Sequence, residues 1–124
     1  LDEKSLLILE DEALIAMELE GLAEEHGAHF VRAVPTIAQA RSFVEKERFD
    51  LAVLDVRLPD GTSLPLAHEL LGRGIGVVFH SGHLGRQDLE NGLDGAAFCS
   101  KPCPPEHLIA TLAKVANGSF TADR

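Results

Sequence analysis

Short apolar runs that recur between amphipathic segments limit what this chain can fold into. Leu6-Leu7-Ile8-Leu9, Leu51-Ala52-Val53-Leu54, Val77-Val78-Phe79 and Ala96-Ala97-Phe98-Cys99 are apolar at every position. A strand with one wet face alternates polar and apolar residues, whereas an uninterrupted run suits a parallel strand covered on both faces. Such strands need helices between them, and the intervening segments have that character. From about Ala13 to His26, Ile15, Leu19, Leu22 and His26 fall on one face at helical spacing, with Glu18, Glu20, Glu24 and Glu25 elsewhere and Gly27 as a stop. A second strand is predicted from about His29 to Val34. Thr36-Ile37-Ala38-Gln39 has the form of a capping box opening a helix to about Arg48, with Ile37, Ala40 and Val44 inward.

The third strand runs from Leu51 to Asp55, and Ser63 is placed to cap a helix that extends to about Arg73, with Pro65 in its first turn. The fourth strand covers Val77 to His80. The stretch from Leu84 to Gly95 is rich in glycine and predicts a short or irregular helix. A fifth strand covers Ala96 to Cys99, and Pro104-Pro105-Glu106 starts a last helix with Leu108, Leu112 and Val115 on one face. Alternating units of this kind predict an α/β fold: an open parallel sheet wound with helices on both sides. At 124 residues the whole chain, 1–124, makes one domain and is too short for two.

The net charge of −9 disfavours direct contact with nucleic acid or an anionic membrane. No apolar run approaches the roughly 18 residues of a membrane helix, and no signal peptide is read, so a cytoplasmic protein is expected. The chain opens on Leu1 rather than Met, as a piece trimmed from a longer protein would. Cys99 and Cys103 are expected as reduced thiols. A disulfide or a metal pair is the lesser alternative, because no further His or Cys stands at zinc-finger spacing.

In open parallel sheets, functional residues collect beyond the carboxyl ends of the strands. Strand one ends in Glu10-Asp11-Glu12, strand three in Asp55, strand four in Ser81-Gly82, and strand five runs into Lys101-Pro102. Carboxylates crowded together repel one another unless a cation sits among them. An oxygen-only donor set favours Mg²⁺. Lysine adds a point charge, and the serine hydroxyl adds a donor for a phosphoryl oxygen. Together these suit an aspartate nucleophile attacking a phosphoryl donor. A dinucleotide site would instead need a glycine-rich loop after strand one, where this chain has Glu10-Asp11-Glu12-Ala13.

Four pieces in order carry a family resemblance: Leu7-Ile8-Leu9-Glu10-Asp11-Glu12, Leu54-Asp55-Val56-Arg57-Leu58-Pro59-Asp60-Gly61, Val78-Phe79-His80-Ser81-Gly82 and Phe98-Cys99-Ser100-Lys101-Pro102. Over nearly its whole length the chain resembles the receiver domain of bacterial two-component response regulators. The resemblance implies a flavodoxin-like (βα)5 domain with a five-stranded parallel sheet in the order 2-1-3-4-5. It implies that Asp55 accepts a phosphoryl group from a histidine kinase or histidine phosphotransfer protein. Asp11 and Asp55 would bind Mg²⁺, with Glu10 helping through water and the Arg57 backbone carbonyl completing the shell. Ser81 would sense the phosphoryl group, Phe98 would turn inward as the coupled aromatic, and Lys101 would pair with the phosphate before a cis Lys101–Pro102 bond.

There are departures from the family pattern. Ser81 stands where many members have Thr, and Cys103 where many have Phe after Lys-Pro. Phe79-His80-Ser81-Gly82-His83 looks like a variant of the Phe-Ala-Thr-Gly-Tyr pattern of alphaproteobacterial single-domain receivers. With no output domain read after it, the expected output is an altered contact with an unidentified downstream protein.

Plainer readings stand beside these. Glu12 reads as a first-turn acid favoured by the helix dipole rather than a metal ligand, and Asp60-Gly61 as turn chemistry. His80 is expected to point opposite to Ser81 along the strand, and His83 to adjust water access to the site. The acidic face of the first helix reads as solvated, although in the family that face docks the kinase partner. Two other functions compete. One is a receiver-like interaction module that is never phosphorylated and binds constitutively. The other is a phosphatase or dehalogenase with an aspartate nucleophile; such enzymes usually carry a second acid two positions on, where this chain has Arg57. The leading expectation is therefore a signalling switch that assists its own phosphorylation and is not a conventional enzyme.

Overall fold

The computed structural model describes residues 1–82 and 95–118. In chain order the elements are β1 (Ser5–Leu9), α1 (Ala13–Glu25), β2 (Phe30–Val34), α2 (Ile37–Lys46), β3 (Leu51–Leu54), β4 (Arg57–Leu58), β5 (Gly61–Thr62), α3 (Leu64–Gly72), β6 (Gly76–Ser81), β7 (Ala97–Ser100) and α4 (Pro105–Ala116). β2-β1-β3-β6-β7 form one five-stranded parallel sheet, which is the expected 2-1-3-4-5 order once the two-residue strands are set aside. β4 and β5 make a separate antiparallel hairpin, Arg57 opposite Thr62, with strands too short to carry a sequence pattern. The helix expected from Leu84 to Gly95 falls almost wholly outside the described residues.

The apolar runs are buried on both faces, as their lack of alternation requires. Leu7 and Leu9 of β1, Ala52 and Leu54 of β3, and Val77 and Phe79 of β6 pack with Ala40 of α2 and Leu66, Ala67 and Leu70 of α3. Their strand neighbours Leu6, Ile8, Leu51, Val53 and Val78, with Ala97 and Cys99 of β7, face Leu19 and Ala23 of α1 and Leu108, Ile109 and Leu112 of α4. Among the described residues, two helices therefore cover each face. Where α4 crosses the start of β6 the approach is close: a Cβ on Gly76 would lie 2.5 Å from Val115 Cγ1 and 2.9 Å from a Leu51 methyl. Among the described residues, no helix is long and apolar enough to cross a membrane.

Helix ends follow local chemistry with two corrections. Thr36 caps α2 as expected, its hydroxyl accepting the Gln39 N–H at 3.2 Å. Gly27, at φ +92°, ends the first helical segment and its N–H donates to the Glu24 carbonyl. His26, however, is exposed and lies past the last turn of α1, where its Nδ1 sits 2.9 Å from the Leu22 carbonyl; the apolar face of α1 is completed by Ala23 instead. Ser63 stands at the N-cap of α3 but does not cap it. Its fully buried hydroxyl donates to the Asp55 backbone carbonyl at 2.6 Å.

Asp60 does more than turn the chain. Its two carboxylate oxygens accept the N–H groups of Ile37 and Ala38, each at 3.0 Å, so the hairpin is tied to the N-terminus of α2. The bond from Ile37, then that from Ala38, holds the Asp60 carboxyl below its ordinary value of 3.8. A carboxyl with a lowered folded value stabilises the fold above the unfolded value and loses that contribution as pH falls through the folded one. Asp60→Ala is therefore expected to lower Tm by a constant amount from neutral pH to about pH 5, and the gap should close in stronger acid. Thermal melts of both proteins across pH check this.

Candidate functional site

Strand register builds the site. Leu9 of β1 and Leu54 of β3 are paired, so the next residues, Glu10 and Asp55, emerge side by side beyond the carboxyl edge. The Asp55 N–H donates to the Leu9 carbonyl at 2.9 Å, which extends the pairing to the acid itself. β1 lies between β2 and β3, so the chain switches direction across the sheet here, the usual place for a crevice in an open α/β fold. On the other side, Ser81 pairs with Ser100, and the Lys101 N–H donates to the Ser81 carbonyl at 3.2 Å. The Lys101–Pro102 peptide bond is cis, as the resemblance implied.

Glu10, Asp11 and Asp55 each present a carboxylate oxygen within 4.8 Å of the others, a spacing that one cation could bridge. Glu10 and Asp55 are buried, at 3% and 7% exposure, while Asp11 is exposed. Lys101 Nζ enters this group and lies 3.2 Å from Glu10 Oε1, 3.1 Å from Glu12 Oε1 and 3.1 Å from Asp55 Oδ2. Burial works against the lysine's charge, but the hydrogen bond to Asp55 and the carboxylates of Glu10 and Glu12 prevail and hold its pKa well above the ordinary value. At Glu10 burial prevails. Burial raises its carboxyl above 4.5 against the opposing pull of the Glu12 N–H, at 3.1 Å from Oε2, and of Lys101.

The remaining expected residues divide. Ser81, at the end of β6, is almost fully buried. Phe98 in β7 is half-buried against the core on the α2–α3 side, opposite Phe79 in register. Arg57 opens β4 two residues past Asp55, with its side chain exposed. His80 is buried, and alternation along β6 places it with Val78 on the α1–α4 face, away from Ser81. Burial, then the charge of Lys101, lowers its pKa below 6.5. His83 lies outside the described residues. Glu12, read from sequence as a first-turn acid, is a partner of Lys101. Ser63, at a position where sequence predicts a cap, anchors the Asp55 carbonyl instead. A buried serine eight residues past an acid carries no sequence signal beyond its N-cap position.

The family model for the response regulator receiver domain matches residues 6–113. The two-component response regulator PhoP of Pseudomonas aeruginosa is 36% identical over 111 residues, which cover 86% of this chain and 49% of PhoP. The phyllosphere-induced regulator PhyR of Methylorubrum extorquens is 31% identical over 112 residues, 88% of this chain and 42% of PhyR. The chain thus spans about half the length or less of these relatives. Among solved structures, a CheY-like receiver domain protein of Methanospirillum hungatei superposes with a TM-score of 0.84 at 24% identity, over 95% of this chain and 97% of that one. A receiver protein of Sinorhizobium medicae also gives 0.84, at 22% identity over 95% and 98% of the two chains. With a register that gathers the acids and the lysine at the strand ends, and a family model that spans most of its length, the chain belongs to the response regulator receiver domain family.

Proposed function

We propose that this receiver domain is a phosphoacceptor switch that takes a phosphoryl group onto Asp55 from a histidine kinase or histidine phosphotransfer protein. The observation that carries the proposal is the Asp55 carboxylate, nearly buried, 3.1 Å from the Lys101 ammonium and grouped with Glu10 and Asp11. A carboxylate needs no base to become a nucleophile. In the transfer, an Asp55 oxygen forms a bond to phosphorus as the phosphorus–nitrogen bond to the donor histidine breaks.

The oxygen-only donor set fits Mg²⁺, which Asp11, Asp55 and the Arg57 carbonyl would hold, with Glu10 acting through water. The ion would supply charge neutralisation for the phosphoryl oxygens. Lys101, shared among three carboxylates, turns part of its charge toward the new phosphate, and the Ser81 hydroxyl donates to it. Phe98, half-buried beside Phe79, follows Ser81 inward and changes the outer surface that a downstream protein reads. Exposed Leu14 and Met17, on the first helix next to the acids, support a protein partner at this end of the sheet.

Incubation with acetyl phosphate, followed by intact mass measurement, is expected to show one added phosphoryl group. Chelation of Mg²⁺ should cut the yield roughly tenfold or more, and Asp55→Asn should abolish it. Absence of any addition, both from acetyl phosphate and from a phosphorylated phosphotransfer protein, would favour a constitutive interaction module instead. Ser81→Ala is expected to keep the modification but lose most of the amide chemical-shift changes that phosphorylation causes around β7.

A further inference from the structure

Away from the acidic crevice, the fold assembles a second group of metal-ligating side chains. Cys99 at the end of β7, Cys103 before α4 and His107 in its first turn present ligand atoms that all lie within 4.8 Å of one another. The three follow one another at four-residue intervals across the junction where β7 gives way to α4, so they do not lie on one continuous helix. Both cysteines are free thiols. Cys99 is buried, Cys103 half-buried and His107 exposed, so the group opens to solvent on one side.

The chemistry of the set is specific. Two thiolates and an imidazole are the donors that Zn²⁺ prefers, and three protein ligands with one open position are a common zinc arrangement. Tetrahedral bonds of about 2.3 Å to sulfur place ligand atoms about 3.8 Å apart. Closing from 4.8 Å or less requires shifts of an ångström or less, within reach of side-chain rotation at a half-buried cysteine and an exposed histidine.

Neighbouring groups already orient the set. The Cys99 thiol lies 3.5 Å from Thr111 Oγ1, and the Thr111 hydroxyl donates to the His107 carbonyl at 3.0 Å. His80 adds an independent observation. It pairs with Cys99 in the β6–β7 register and lines a groove shared with Cys103, and neither of its ring nitrogens has a hydrogen-bond partner among the described residues. A buried, unpartnered imidazole therefore lies on the same face of the sheet as Cys99, outside the group of three.

We propose that Cys99, Cys103 and His107 form a Zn²⁺ site at the junction of β7 and α4, separate from the carboxylate crevice. Binding converts both thiols to thiolates and releases two protons to solvent, with no change of oxidation state. Because binding releases protons, metal affinity should fall as pH is lowered.

The test uses the full chain, reduced and metal-free, with excess Mg²⁺ present to saturate hard oxygen sites. Co²⁺ titration is expected to give one equivalent of tetrahedral ion with a sulfur-to-cobalt charge-transfer band in the near ultraviolet, bleached by Zn²⁺. Cys103→Ser and His107→Gln should each weaken Zn²⁺ binding at least roughly tenfold, with the fold checked by thermal melting. Both positions are open enough for the variants to remain folded. The absence of a charge-transfer band would overturn the proposal. So would binding that survives Cys103→Ser but disappears in Asp11→Asn, because the ion would then belong to the acidic crevice.

Discussion

The ammonium of Lys101 lies 3.1 to 3.2 Å from oxygens on Glu10, Glu12 and Asp55, and the carboxyl edge of the sheet depends on that contact. Two of those acids are buried, and buried carboxylates left to themselves repel and shed their charge by binding protons. Glu10 shows the tension directly. Its carboxyl is raised, chiefly by burial, so folding disfavours its ionised form at neutral pH, and the cost fades as pH falls through the folded value. Lys101 offsets that cost from a position on the far side of the crevice, at the end of β7. One long side chain thereby joins the ends of β1, β3 and β7.

The backbone makes this possible with little freedom left over. Pairing of Leu9 with Leu54 sets Glu10 beside Asp55, and pairing of Ser81 with Ser100 brings Lys101 up to the same edge. The Asp55 backbone is held on both sides, by its N–H on Leu9 and by its carbonyl under the Ser63 hydroxyl. Asp60 then pins the following hairpin to α2. A carboxylate placed this way would lose little entropy in a reaction, because its position is already determined by the sheet and the first turn of α3. Arrangements of like charge that cost stability in the resting protein are common where a site is built for a cation or a phosphoryl group.

The sheet was legible in the sequence because its strands are apolar throughout, a pattern that only two-sided burial explains. The acids and Lys101 were legible because each follows such a run. Contacts between residues far apart in sequence were not. Glu12 looks like any first-turn acid until Lys101, 89 residues away, is placed beside it. Ser63 looks like a cap because its hydroxyl could serve either the helix or the Asp55 carbonyl, and only packing decides which. Asp60 reads as a turn residue because its partners Ile37 and Ala38 come from a different element. His107 stands near the two cysteines across a strand-to-helix junction, and its position relative to them does not follow from linear spacing.

Lys101 and Asp55 stabilise one another across the crevice, and a double-mutant cycle measures by how much. Urea unfolding of the parent chain, Lys101→Met, Asp55→Asn and the double variant, without divalent ions, gives the coupling energy. A favourable coupling of about 1 kcal/mol or more is predicted, with Lys101→Met costing clearly less once Asp55 is neutral. Additivity within about 0.5 kcal/mol would mean that the two groups do not support one another and leave the acidic crevice without its organising charge.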